Sequence, residues 1–261
     1  MYRFNCENLD PRQIAYSGQT FRWKETSDGG FIIPAFGREV TLRRVKDSFE
    51  LSCDEKEWDE IWYSYFDMDT DYKKIGRIIK ASGDEYLKKA YSFGQGIRIL
   101  RQDPWEMIIC FMISQNNNIP RIRGSVEKIC SRCTKNGAFP SAGEIDPDIF
   151  DDATLGLGYR APYLKEMVIY CQNNPGLTDE LKAMDSDEAM KYLMSFKGIG
   201  TKVASCILLF GLHRVDAFPI DTHIKKILAA HYPDGFDRSF CEGFSGIVQQ
   251  YMFYYDLTDR G

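Results

Sequence analysis

Apolar and polar positions alternate in short runs over the first fifth of the chain, then change to a helical period near residue 54. Phe21-Arg22-Trp23, Phe31-Ile32-Ile33, Val40-Thr41-Leu42 and Phe49-Glu50-Leu51 read as strands, and Gly29-Gly30 and Phe36-Gly37 supply turns between them. An antiparallel sheet is the expected product. From there Trp58, Ile61, Trp62 and Tyr65 form an i, i+3, i+4, i+7 stripe that Tyr72, Ile75, Ile78 and Ile79 continue. Asp103-Pro104 is a cap followed by a first-turn proline, so the apolar run Met107 to Ile113 reads as a buried helix that stops at Gln115-Asn116-Asn117-Asn118. Helices are expected over 187–195 and 201–210, and a last amphipathic one over 240–257 with Ile247, Val248, Tyr251 and Met252 on its core face. Neither a linker nor a repeat interrupts the chain. The pattern predicts one α+β unit, an N-terminal antiparallel β-sheet (residues 1–54) packed on a mostly α-helical body (residues 55–261).

Composition changes this picture little. The 261 residues are 44% hydrophobic, enough for a sizeable core. The net charge of −5 argues against nucleic-acid binding, but its distribution argues the other way. Residues 190–226 carry six cations (Lys191, Lys197, Lys202, Arg214, Lys225, Lys226) against two anions (Asp216, Asp221), a surface suited to DNA. The N-terminus lacks a secretory pattern and the longest apolar runs are too short to span a bilayer, so no membrane association and a cytoplasmic location are expected. Eight cysteines in that setting read as reduced thiols, and Cys130-Ser131-Arg132-Cys133 lacks the partner cysteines or histidines of a metal site.

The chemistry-bearing stretch is Phe196 to His223, FKGIGTKVASCILLFGLHRVDAFPIDTH. Gly198 and Gly200 make a tight turn between two helices, a helix-hairpin-helix pattern over 187–210. The free amides that open the second helix can grip a phosphate without reading a base. Lys202 stands in the first turn of that helix and Asp221 at the start of the next. A lysine nucleophile needs activation by desolvation or neighbouring charge, and a carboxylate can stabilise a developing cation. Each has a plain alternative: a first-turn lysine is often a solvated charge, and an Asp before a helix is often only its cap.

GxGTKVAxC followed by PxDxH resembles the helix-hairpin-helix base-excision DNA glycosylases, and within them the 8-oxoguanine DNA glycosylases. The resemblance extends over most of the chain. It implies that Lys202 is a Schiff-base nucleophile, that Asp221 is the catalytic carboxylate and that Cys206 lies beside the lysine. SGQTFRW implies that the Gly18 carbonyl meets the damaged base. SQNNNIPRI implies that Asn116 fills the vacancy left by a flipped base and that Arg121 reads the opposite base, with Pro120 a local departure. LGLGYRA supplies an exposed Tyr159-Arg160 pair, Tyr159 a wedge and Arg160 a second reader. GxxQxxxFxxDL implies that Gln249 and Phe253 line the base pocket, with Phe210 as its other wall. Gly198, Gly200 and His223 are assigned to backbone phosphates. Packing alone would equally account for Cys206, Gln249 and Phe253. Some related glycosylases carry an iron–sulfur cluster after the hairpin, but beyond Lys202 only Cys206 and Cys241 remain, so no cofactor is expected.

The function so implied is a bifunctional DNA glycosylase/AP lyase that removes 8-oxoguanine from double-stranded DNA and prefers cytosine opposite. A monomer is expected, in the cytoplasm, at the nucleoid or in the nucleus according to the cell. The alternatives are a monofunctional glycosylase of the same fold acting on alkylated bases and a non-catalytic helix-hairpin-helix module. Only a lysine imine, trapped by borohydride, would join protein to DNA covalently.

Overall fold

The computed structural model describes residues 1–135 and 137–259. Five strands, β1 (Tyr2–Phe4), β2 (Lys24–Glu25), β3 (Phe31–Ala35), β4 (Arg38–Val45) and β5 (Ser48–Leu51), form an antiparallel sheet in the order β1-β5-β4-β3-β2. Phe4 pairs with Phe49, Leu42 with Leu51 and Ile33 with Val40. In β3 the side chains of Phe31, Ile33 and Ala35 are buried while Ile32 and Pro34 are half-buried, the period of two expected for a sheet with one covered face. Pro34 is tolerated because β2 covers β3 only at Phe31 and Ile32, so Pro34 stands where that side of β3 has no partner strand.

The remaining described elements are helical. They comprise α1 (Pro11–Tyr16), α2 (Glu55–Glu57), a π-helical turn (Trp58–Trp62), α3 (Tyr63–Tyr65), α4 (Tyr72–Ala81), α5 (Glu85–Gly94), α6 (Pro104–Ile113), α7 (Ile119–Cys133), α8 (Ala161–Asn173), α9 (Leu177–Ala183), α10 (Ser186–Met194), α11 (Thr201–Phe210), α12 (Thr222–His231) and α13 (Ser245–Asp259). Short 3₁₀ turns connect α7 to α8. One core lies under the sheet, where Trp23, Trp58, Trp62 and Phe66 meet β3, β4 and β5; the larger one surrounds α6, which is buried along its length except at Trp105.

Three expectations change. Phe21-Arg22-Trp23 is not a strand: Phe21 belongs to the helical core against Phe111, Arg22 is buried with Glu106 of α6 at 3.1 Å, and Trp23 turns into the sheet core with its indole N–H on Tyr65 Oη at 2.8 Å. Three successive side chains go to three destinations, which a strand with two faces cannot provide. Helix α1 stands where no helix was expected, capped by the Asp10 carboxylate on the amides of Arg12 and Gln13 with Pro11 at its first position. The last helix begins at Ser245 and not near 240. Asp216 Oδ1 accepts from its first amide, Ser245 N, at 3.3 Å and from Gly243 N in the preceding turn at 3.0 Å.

Asp216 belongs to the loop of residues 211–221 that joins α11 to α12, and the same loop is pinned again at His213. His213 Nε2 lies 3.1 Å from Ile99 O and 3.4 Å from Asp67 Oδ1. Fully buried Asp67 also accepts from Thr70 Oγ1, Tyr72 Oη and Arg101 Nη2 at 3.0, 2.8 and 3.0 Å. Burial pushes the Asp67 carboxyl up, but hydrogen bonding and charge from His213 with the Tyr72 and Thr70 hydroxyls more than offset it and hold the group below its ordinary range. Both Asp67 and His213 have positive φ (52° and 53°), the local cost of a joint that fastens the loop to residues beside the sheet core. Asp221 ends that loop.

Candidate active site

Helix α11 starts at Gly200, whose lack of a side chain leaves the first amides without a side-chain cap, whereas α6, α10 and α12 are capped by Asp103, Asp185 and Asp221. Two residues before it, Gly198 has φ 80° and lies so close under Tyr163 that an added Cβ would stand 2.7 Å from the ring. The hairpin is therefore a glycine turn held against α8, with an uncapped helix start beside it.

Lys202, in the first turn of α11, is half-buried. Its Nζ is 3.3 Å from Ser114 Oγ at the end of α6 and 5.6 Å from the centre of the Phe111 ring. Cys206, one turn on, touches the lysine from its own helix. Burial pushes the Cys206 thiol up to about 11; the Lys202 ammonium opposes this and the Asp221 carboxylate adds to it, so the sulfur stays protonated at neutral pH. Phe210, at the far end of α11, stacks on Phe111 with centroids 5.3 Å apart and planes at 15°.

Asp221 caps α12 through Oδ1, which accepts from Ile224 N at 2.8 Å. It lines, together with Lys202, Gly18, Asn116, His223 and Phe253, one cleft of about 590 Å³. Six of the residues singled out from sequence are thus gathered at one opening. Gly18, at φ 77°, packs on Phe253 so closely that a Cβ would be 3.1 Å from the ring. His223 places its ring edge-on to Phe253 at 5.5 Å and pairs Nδ1 with Asp256 Oδ2 at 2.8 Å. Gln249 lies one turn before Phe253 on α13 and is buried outside the cleft lining, its Oε1 without a hydrogen-bond partner among the described residues.

The opposite side of the opening is formed by the end of α6. Asn116 is exposed at φ 45°. Arg160, expected to be exposed beside Tyr159, is buried: Nε donates to Gln115 O at 2.7 Å, Nη2 to Gln115 O and to Asn116 O at 2.8 Å, and Nη1 to Leu157 O at 3.0 Å. The guanidinium fork thereby satisfies two carbonyls of the turn that follows α6, Gln115 O and Asn116 O. Tyr159 is 53% exposed and flanks it, Arg160 Cζ lying 4.6 Å from the ring centre. The Arg121 side chain is exposed on the first turn of α7, where Asn118 Oδ1 caps its amide at 3.0 Å. Pro120 occupies that same first turn, whose amides have no intrahelical acceptor, so it costs the helix nothing. Ser114 and Phe111 escaped the sequence reading. Their only signal was an i, i+3 pair just before the asparagine run.

The N-terminal domain family of 8-oxoguanine DNA glycosylase matches residues 1–108. The N-glycosylase/DNA lyase of Saccharomyces cerevisiae is 32% identical over 189 residues, covering 64% of this chain and 50% of the relative. N-glycosylase/DNA lyase OGG1 of Arabidopsis thaliana is 32% identical over 241 residues, covering 81% and 63%. The chain therefore spans less than two thirds of the length of these two relatives. Among solved structures, the Clostridium acetobutylicum 8-oxoguanine glycosylase/lyase in complex with dsDNA containing cytosine opposite to 8-oxoG is 33% identical, with a TM-score of 0.88 and 98% of this chain and 94% of that one covered. The 3-methyladenine DNA-glycosylase of Archaeoglobus fulgidus, at 20% identity and a TM-score of 0.72, shares the fold. Matched at 33% identity over 98% of its length to the Clostridium acetobutylicum enzyme, the chain belongs to the 8-oxoguanine DNA glycosylase/lyase family.

Proposed function

We propose that this protein is a bifunctional DNA glycosylase/AP lyase that removes 8-oxoguanine from duplex DNA. The observation that carries the reading is the amine of Lys202 and the carboxylate of Asp221 on one cleft, in a chain of this family. An amine has no role in simple hydrolysis of a base, but it is the group that forms an imine. A flipped nucleotide would enter the cleft, at a cost of a few kcal/mol offset by phosphate contacts at Gly198, Gly200 and His223. Neutral Lys202 Nζ bonds to C1′ as the C1′–N9 bond breaks, its electron pair leaving on the base, while Asp221 faces the positive charge that develops on the sugar. Opening of the sugar ring gives the lysine imine, and loss of a C2′ proton expels the 3′ phosphate by β-elimination.

Gly18 and Phe253, which line the cleft, and Gln249 and Phe210, buried outside its lining, are the proposed base pocket, with the Gly18 carbonyl accepting the N7–H that 8-oxoguanine has and guanine lacks. Asn116 and Tyr159 hold the gap in the duplex, and Arg121 and Arg160 read cytosine opposite. Double-stranded DNA is the partner, the protein acts as a monomer, and its place is wherever the cell keeps its DNA. Among the described residues no helix is long and apolar enough to cross a membrane. The test is borohydride trapping on a duplex with 8-oxoguanine opposite cytosine. A covalent adduct supports the reading. Base release without any adduct would assign the chain to a monofunctional reaction, and binding without release to a non-catalytic module.

A further inference from the structure

We infer that Ser114 is a positioning residue for the lysine, an acceptor locked in place so that the amine is held across the cleft floor. The inference rests on the reading of Lys202 as nucleophile. Ser114 is the C-cap of α6, and its hydroxyl donates to Phe111 O at 2.8 Å. With its one hydrogen committed there, Oγ can only accept toward Lys202 Nζ, 3.3 Å away. The lysine therefore donates to it whether protonated or neutral. In the neutral amine that donation uses one N–H and leaves the nitrogen lone pair for carbon, so the hydroxyl restricts the amine without competing with attack.

The rest of the seat fixes the serine. Phe111 supplies the carbonyl that takes the Ser114 hydrogen, and its ring faces the lysine Nζ at 5.6 Å. That ring is held by Phe210 stacked at 5.3 Å and Phe21 edge-on at 5.6 Å. Cys206 cannot replace Ser114, because its buried thiol is a weak, protonated acceptor. A long lysine side chain has four rotatable bonds, and a half-buried amine without a fixed acceptor would sample several rotamers of which few reach C1′. At 3.3 Å the bond is slightly longer than the usual range of about 2.7–3.2 Å for N–H···O, so it guides the amine and does not clamp it.

The experiment compares the full-length wild type with Ser114→Ala and Ser114→Thr in single-turnover borohydride trapping at saturating enzyme, on a duplex with 8-oxoguanine opposite cytosine. Affinity for the same duplex containing a non-cleavable abasic analogue and Tm are measured alongside. Ser114→Ala is expected to lower the trapping rate about tenfold, the loss of one neutral hydrogen bond that orients the amine, with affinity and Tm unchanged. Ser114→Thr, which keeps the hydroxyl, is expected to restore most of the rate. Wild-type trapping by Ser114→Ala, or a loss that tracks Tm and affinity and is not rescued by Thr, would overturn the inference and leave the functional reading intact. No adduct with the wild type itself would overturn both.

Discussion

Two polar clusters lie along the 211–221 loop, and they use their hydrogen-bonding groups in opposite ways. At His213 the capacity is nearly exhausted: Asp67 accepts from two hydroxyls and a guanidinium and faces the imidazole, while neighbouring Arg98 donates to the carbonyls of Phe66, Asp67 and Thr70. At Asp221 it is largely unspent. Among the described residues the Asp221 side chain accepts one bond, from Ile224 N. A carboxylate with unused acceptor capacity on a cleft can take further donors or face a cation, whereas one already surrounded by donors cannot. The saturated cluster fixes the loop, and the open one is what the loop presents.

The sharpest way to break this contrast is to change the cleft, at Lys202 and Asp221, and the joint, at Asp67, separately. Lys202→Gln is expected to abolish the borohydride adduct and slow base release at least about a thousandfold, with stability within about 0.5 kcal/mol of wild type. Asp221→Asn is expected to slow release roughly a hundredfold or more while the amide oxygen keeps the cap on Ile224. Asp67→Asn should do the reverse, costing roughly 3 kcal/mol in denaturant unfolding because Arg101, Tyr72 and Thr70 lose a charged acceptor, with the single-turnover rate of the folded fraction unchanged. A rate loss in Asp67→Asn as large as that in Asp221→Asn would mean that the joint belongs to the chemistry.

How much of this was legible depended on whether the signal was local. Thr201–Phe210 and Pro104–Ile113 are helices where spacing, cap and proline placed them. Asp10-Pro11 carries the same cap and proline as Asp103-Pro104, yet α1 was overlooked because it sits among strand-like runs. Alternation at Phe21-Arg22-Trp23 cannot say that two cores, and not two faces of one strand, receive the side chains. Motif residues were readable as types at a spacing. Ser114 with Lys202, Arg160 with the carbonyls of Gln115 and Asn116 and Asp67 with His213 were not, because each pair is made by packing across 88, 44 to 45 and 146 residues.

A smaller effect sharpens the same contrast through pH. The Asp67 carboxyl is held below the ordinary value of about 3.9, so the folded protein binds its proton less readily than the unfolded chain. Its stabilising contribution is then complete above about pH 4 and is lost as pH falls through the depressed value. The Tm difference between wild type and Asp67→Asn should shrink over that acid range. A difference that instead widens as the solution is made acidic would show that the carboxylate is not the favoured form.

The smallest expected effect concerns the base opposite the lesion, where the same distinction between spent and unspent groups separates two arginines. Arg160 has its guanidinium on Gln115 O, Asn116 O and Leu157 O, and would have to release part of that set to reach a base. Arg121 is exposed at the start of α7, and its side chain needs no such exchange. Cytosine offers O2 and N3 as acceptors for a guanidinium, whereas adenine offers no equivalent pair, and a lost bidentate contact costs about 1–3 kcal/mol. Excision opposite cytosine should therefore exceed excision opposite adenine by at least roughly tenfold, and Arg121→Ala should compress that ratio. Arg160→Ala should instead lower the rate opposite every base, because it frees the end of α6 and with it Asn116. Equal single-turnover rates opposite all four bases in the wild type would remove both arginines from recognition and leave Lys202 and Asp221 untouched.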